Sequence, residues 1–448
     1  MTLLENKQKT LKMIIKTLLN IVFVLSLATT YAQVPTPLTQ KFKNILLLNG
    51  FAHIGNGETV TKSAIGIKDG KIDFVKNALT YSVDKTEWDT IIDIKGKQVY
   101  PSFIASNSTI GLTEIDAVRA TNDFRETGLI NPHVRALIAF NTDSKVLYTI
   151  RTNGVLICQP TPRGGLISGT SSVMNMDGWN WEDAVLKIDD GIHINWPSKF
   201  TNTGWWAEPG EIKPNPKYKQ TITQLIEFFK KAIAYAQLKH PNPTDLKLKA
   251  MINVFKGNQR VYFHTNFAPE INDVIDFSRR FKLKYPVIVG GYDAYKLSER
   301  LKENHFSVML ENPHHLPHFE GDLTSIVYEL PKKLQDAGVL FCIQNAGQME
   351  VMNTRNLPFL AGTAMAYGLT EEQAIASISY NAAKILNIDD KVGSIEKGKD
   401  ATLFVSDGNA LDMRTNNVVL AFVKGRFIDL SNHQKQLSEK YHNKYHLK

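Results

Sequence analysis

Residues Tyr100 to Leu112 read YPSFIASNSTIGL. The apolar run from Gln98 to Ala105 reads as a strand, and Asn107 and Thr109 stand just past its end. Further strand-like runs follow near Val155 to Gln159, Val261 to His264, Pro286 to Val289, Ser307 to Leu310 and Leu340 to Ile343. Helical patterns lie between them. From Gln220 to Leu238, the residues Ile222, Leu225, Ile226, Phe229, Ile233 and Ala234 recur at helical spacing. Alternation of this kind from residue 100 to 386 argues for βα units and a parallel sheet. If such a sheet closes into a barrel, reacting groups sit at the C-terminal ends of its strands, so the residues that outlast each strand are the candidates.

The C-terminal stretch, Tyr367 to Ile428, reads YGLTEEQAIASISYNAAKILNIDDKVGSIEKGKDATLFVSDGNALDMRTNNVVLAFVKGRFI. Asn381 to Leu386 and Gly393 to Val405 match "N-x-A-K-x-L" and "GSIExGKDADLxV", and Gly70 to Val75 match "G-x-I-x-x-V". On these motifs the chain resembles the metal-dependent amidohydrolases, the superfamily of imidazolonepropionase, dihydroorotase and the cyclic-amide hydrolases, over residues 43 to 430. The resemblance implies an α/β fold with a (β/α)8 TIM-type barrel over residues 100–390. It also implies a small composite β-sandwich made by residues 33–99 with 391–430, and leaves 431–448 as a polar C-terminal tail.

In that family the first strand carries "PGxIDxHxH", and its histidines fall on Asn107 and Thr109 here. The fifth-strand histidine falls on His264, the one ligand kept. Gly290 stands where the sixth-strand histidine belongs. Asn345 or Ala346 stands where an aspartate would bind metal and handle the proton, and neither side chain is a general base. The bridging lysine of some relatives has Asn175 as its nearest counterpart.

One or two divalent ions would activate water and polarise a carbonyl in such a site. With three or four ligands replaced, the charge that would balance a cation is gone, so no cofactor is expected. Zinc or another divalent metal is expected only if the site works. A relocated site would draw on His264 with His314 and His318, near Glu311, His315 and Asp322, although Pro313 and Pro317 oppose a regular helix there. Glu311, His314 and His315 are candidate substrate contacts. So is Arg163 in PRGGLISGT, whose glycines allow a tight loop that could cradle a carboxylate. A plain βα loop is the simpler reading of those glycines.

The expected function is therefore a hydrolase of C–N bonds in cyclic amides or peptide-like compounds by descent. Its expected present role is catalytically degenerate: binding a small amide or peptide-like ligand, or partnering an active paralogous amidohydrolase. The alternative is an active hydrolase with one metal at His264 and the His314–His318 loop, or a metal-free mechanism. The stretch from Trp179 to Pro216, with Trp179, Trp181, Trp196, Trp205 and Trp206, is expected to form an aromatic rim.

Composition fits one large core: 448 residues, 43% hydrophobic. The net charge of +8 comes without a basic stripe interleaved with aromatics, so nucleic acid is not an expected partner. Lys7, Lys9, Lys12 and Lys16 precede an apolar run from Leu18 to Ala28, and Thr30-Tyr31-Ala32 supplies small residues at cleavage positions. This reads as a signal peptide over residues 1–32, cleaved before Gln33, with Met13 an alternative start. Export to the periplasm or beyond is expected. The run is short of the ~20 residues a spanning helix needs, so no stable membrane anchor is expected. Cys158 and Cys342 lie in apolar strand-like runs and are expected to be free and buried.

Overall fold

The computed structural model describes residues 9, 12–20, 36–205, 207–208, 210–239, 242–347 and 349–446. The chain divides into two compact units, Met1–Thr36 and Pro37–Lys448. In the first, residues 12–20 are helical, while the expected cleavage point after Ala32 lies outside the described residues. No helix among the described residues is long and apolar enough to cross a membrane.

Within the second unit, eight strands form a nearly closed, barrel-like sheet. In chain order they are Phe103–Ser108, Val155–Pro160, Ile167–Asn175, Val185–Asn195, Arg260–Thr265, Pro286–Gly290, Ser307–Leu310 and Phe341–Ile343, and each pairs with the next. Runs such as VLICQP and PVIVG are buried at every position, as strands covered on both faces require. The helix expected over Gln220–Leu238 spans Tyr218–Ala236 and buries Leu225, Phe229, Ala232 and Tyr235. Both cysteines are free and buried.

One strand departs from the expected all-parallel pattern. Ile167–Asn175 runs antiparallel to both neighbours. The cause is local: Gly164 and Gly165, with φ of 85° and 68°, turn the chain back at once, leaving no room for a crossover helix. This reversal corrects the placement of Asn175. It pairs with Ile157, toward the end of the barrel away from the mouth, and donates to the Ala184 carbonyl.

The N- and C-terminal segments share one hydrogen-bonded sheet of eight strands rather than two separate ones. Leu403–Ser406 pairs antiparallel with Gln98–Pro101, which pairs in turn with Asn44–His53. Ile45, Leu47, Val99, Leu403 and Phe422 form its buried face. Asp177 ties this sheet to the barrel. Its carboxylate accepts from Arg151 at 3.1 Å and from Arg426 at 2.7 Å. The polar tail is the helix His433–Tyr445, which buries none of its residues.

Candidate functional site

Asn107 takes a φ of 48°, a left-handed conformation that asparagine tolerates better than most residues, and is buried at the end of its strand. Its backbone N–H donates to Gln159 Oε1 at 2.9 Å. Gln159 donates in turn to Ser171 Oγ and Asp190 Oδ2, both at 3.1 Å. Asp190 also accepts the Tyr262 hydroxyl and meets Lys187 Nζ at 2.6 Å. The barrel interior is thus crossed by a chain of polar groups linked from strand to neighbouring strand, as burial favours.

Beside it stand two histidines. His193 Nε2 meets Ser171 Oγ at 2.9 Å and its Nδ1 meets His264 Nε2 at 2.9 Å, while its ring stacks on Tyr262. Burial pulls the His264 pKa down to about 3, helped by the positive charge of Arg163. Burial, His264 and Arg163 hold His193 well below the usual imidazole range. Both rings are therefore neutral at pH 7, and one N–H is shared between them.

The Arg163 side chain is engaged within the protein. Its guanidinium donates to Asn107 Oδ1 and to the Asn107 carbonyl, each at 2.7 Å, and to Glu350 Oε1 at 3.0 Å. A fixed cation thus occupies the side chain that replaces the first metal-binding histidine.

A cavity of about 370 Å³ opens above this network. Among its walls are Asn107, His264, Gly290, Glu311 and Ala346, all expected site residues, together with Trp196, Phe267 and Asn266. Thr109 does not join it; it is buried past the strand end, its carbonyl accepting from Leu112. A second cavity of about 350 Å³ shares Glu311 and Ala346 and adds His314, His315 and Asn345. Asn345 accepts from Asn312 and donates to the Glu350 carbonyl.

The expected pairing of His314 with His318 does not form. His314 reaches Thr363 Oγ1 at 2.7 Å, because the prolines keep the loop from coiling into a helix. Instead His315 and His318 converge on Glu311, and His264 is not part of that group. Burial raises the Glu311 pKa, yet hydrogen bonds and charge from the two histidines outweigh it and bring it to about 2.

The aromatic rim divides as well. Trp196 is buried against Phe263 and Phe277 and Trp181 packs on the core. Trp179 and Trp205 are exposed, and Trp206 lies outside the described residues.

A divalent ion does not fit the barrel centre. Asn107 Oδ1 is already engaged by a cation, Gly290 and Ala346 offer no side-chain donor, and His264, the one imidazole lining that cavity among the described residues, feels the positive charge of Arg163. Sequence reasoning missed His193, Gln159 and Asp190. In GIHINW, alternation places His193 between two buried isoleucines, and nothing local distinguishes it from a structural histidine.

A sequence profile of the amidohydrolase family matches residues 168–428. Adenine deaminase 1 of Latilactobacillus sakei is 29% identical over 151 residues, 34% of this chain and 24% of the deaminase. The chain thus spans about a quarter of the length of that curated relative. An amidohydrolase structure from Thermotoga maritima superposes with a TM-score of 0.73 at 26% identity, covering 86% of this chain and 99% of that one. An adenosine deaminase from Xanthomonas campestris with bound zinc superposes at 0.53 and 12% identity, covering 89% and 97%, a likeness of fold alone.

Proposed function

Because the chain belongs to the amidohydrolase family, we propose that it keeps the family barrel as a binding site for a small amide or peptide-like compound, its ordinary metal centre dismantled. One observation supports this reading: the Arg163 guanidinium donates to Asn107, the position of the family's first histidine, and to Glu350, and its charge lowers the His264 pKa further. Two cations in one low-dielectric site repel, so Arg163 opposes a metal at His264. The cavity keeps what an amide needs. Asn266 Oδ1 is buried without a hydrogen-bond partner among the described residues, an acceptor suited to an amide N–H, and Trp196 and Phe267 supply apolar walls.

Calorimetric titration with chelator present, using cyclic amides, dipeptides and adenine, tests the reading. Saturable binding without turnover is expected for at least one class, weakened roughly three- to tenfold by Asn266→Leu, the value of one hydrogen bond. Hydrolysis in chelator that disappears in His264→Ala would replace this reading with a metal-free enzyme. Pull-down from the native compartment is expected to recover a ligand-complete amidohydrolase as partner.

A second reading, a hydrolase with a relocated metal, draws on the convergence of His315 and His318 on Glu311.

The binding role belongs with export. The lysine-flanked apolar run ending at Tyr31-Ala32 motivates this. Intact-mass measurement on natively expressed protein is expected to find Gln33, or its cyclised form, at the N-terminus; a mature chain that keeps Ile21 to Leu27 sinks the idea.

A further inference from the structure

Glu311 follows directly on the strand Ser307–Leu310, and its Oε1 lies 3.2 Å from His315 Nε2 and 3.1 Å from His318 Nε2. An ordinary surface ion pair needs one imidazole. Here two converge on one carboxylate, their ring centres 5.0 Å apart, and one ligand atom from each of the three residues lies within 4.8 Å of the others. No other such group of three is found among the described residues. We infer that Glu311, His315 and His318 form a binding site for one divalent transition-metal ion, zinc by ligand type, at the rim of the barrel rather than its centre.

The surroundings hold these ligands in place. His315 Nδ1 donates to the Leu316 carbonyl at 2.6 Å, which fixes the ring and leaves Nε2 turned toward Glu311. Carbonyl partners of this kind orient metal-binding imidazoles generally. Glu311 Oε2 accepts from Asn266 Nδ2 at 2.9 Å, so the carboxylate is steadied from the end of Arg260–Thr265, two strands away. The His318 ring meets Tyr292 and Phe267 edge to face, at 4.6 and 5.4 Å. The loop itself is closed by a hydrogen bond from the Tyr292 hydroxyl to Asp322, and Pro313 and Pro317 stiffen it.

Two imidazoles and a carboxylate are a ligand set that zinc accepts while keeping one position open. Glu311 lines both cavities, so that open position borders the space where a small ligand would sit. Arg163 is engaged by Asn107 and Glu350 rather than by this carboxylate. The site stands whether or not the cavity binds an amide.

The test is metal binding, read without any activity. Chelator-stripped full-length protein is titrated with zinc against a chromophoric competitor, and the loaded protein is measured by X-ray absorption at the zinc edge. One zinc per chain is expected, bound by nitrogen and oxygen ligands with two imidazoles. Glu311→Gln, His315→Ala and His318→Ala each should weaken it by more than the roughly 10- to 100-fold typical of losing an outer-shell partner. His264→Ala should bind zinc as the parent does. Circular dichroism and melting of the metal-free variants control for folding, with His318→Gln as the milder second change. Stoichiometric zinc that survives His315→Ala with His318→Ala, zinc lost in His264→Ala, or no zinc in the parent each overturns the assignment.

Discussion

Asp177→Ala is expected to destabilise the folded chain by about 3–5 kcal/mol, the range for removing one partner of a buried ion pair. The Asp177 side chain is 4% exposed, that of Arg151 2% and that of Arg426 20%, so the alanine strands two guanidinium groups away from water. Beyond Asp177, Arg151 keeps only a long bond to the Met176 carbonyl, at 3.4 Å, among the described residues. The Nε of each arginine is already buried without a hydrogen bond among the described residues, and the Arg151 guanidinium stacks 3.9 Å over Tyr148. Burial outweighs the pull of both arginines and keeps the Asp177 carboxyl above the usual range, so the triad is desolvated and depends on all its members. Because Arg426 belongs to the C-terminal sheet and Arg151 to the barrel, the loss should loosen their junction as well. Denaturant melts check this: Asp177→Ala should fall by that amount and the double change with Arg151→Met by less. A single variant within ~0.5 kcal/mol of the parent shows that the triad contributes little.

Gly290→His, which writes the family's sixth-strand ligand back into the chain, is expected to cost about 2–6 kcal/mol and to restore no metal at the barrel centre. Gly290 has a φ of 107°, a conformation that side chains rarely adopt, worth about 1–3 kcal/mol of strain. A Cβ there would lie 2.1 Å from Asn266 Oδ1 and 3.0 Å from the Thr265 carbonyl, so overpacking adds about 1–3 kcal/mol. The backbone at this position is thus ill suited to a histidine. Melting and zinc titration of the variant decide the matter. Parent-like stability together with a zinc ion that depends on His264 would show the centre to be one substitution from repair.

The positions where the family pattern expects ligands were legible because the family motifs fix where strands end. Asn107, Gly290 and Ala346 do line one cavity with His264. Thr109 and Asn345 were placed by the same register, yet neither lines that cavity, and the Asn345 side chain is taken by Asn312 and the Glu350 carbonyl. Arg163 was legible as a cation in a glycine-rich loop, but its partners were not. Glu350 lies 187 positions away, and only the fold brings it to hydrogen-bond distance. For the histidine loop, helical spacing pointed to His314 and His318, whereas a proline-bound loop brings together His315 and His318.

The sequence by itself determined the barrel, its strand ends and which residue types stand at the positions the family pattern marks. Buried strands need continuous apolar runs, and a ligand is a residue type at a counted position. Only the tertiary structure decided the reversed strand Ile167–Asn175, the guanidinium that joins Asn107 to Glu350, the His193–His264 pair and the carboxylate that gathers two loop histidines. Each of these depends on distances between residues far apart in the chain. Such distances are set by how the strands close around one core, and no local spacing records them.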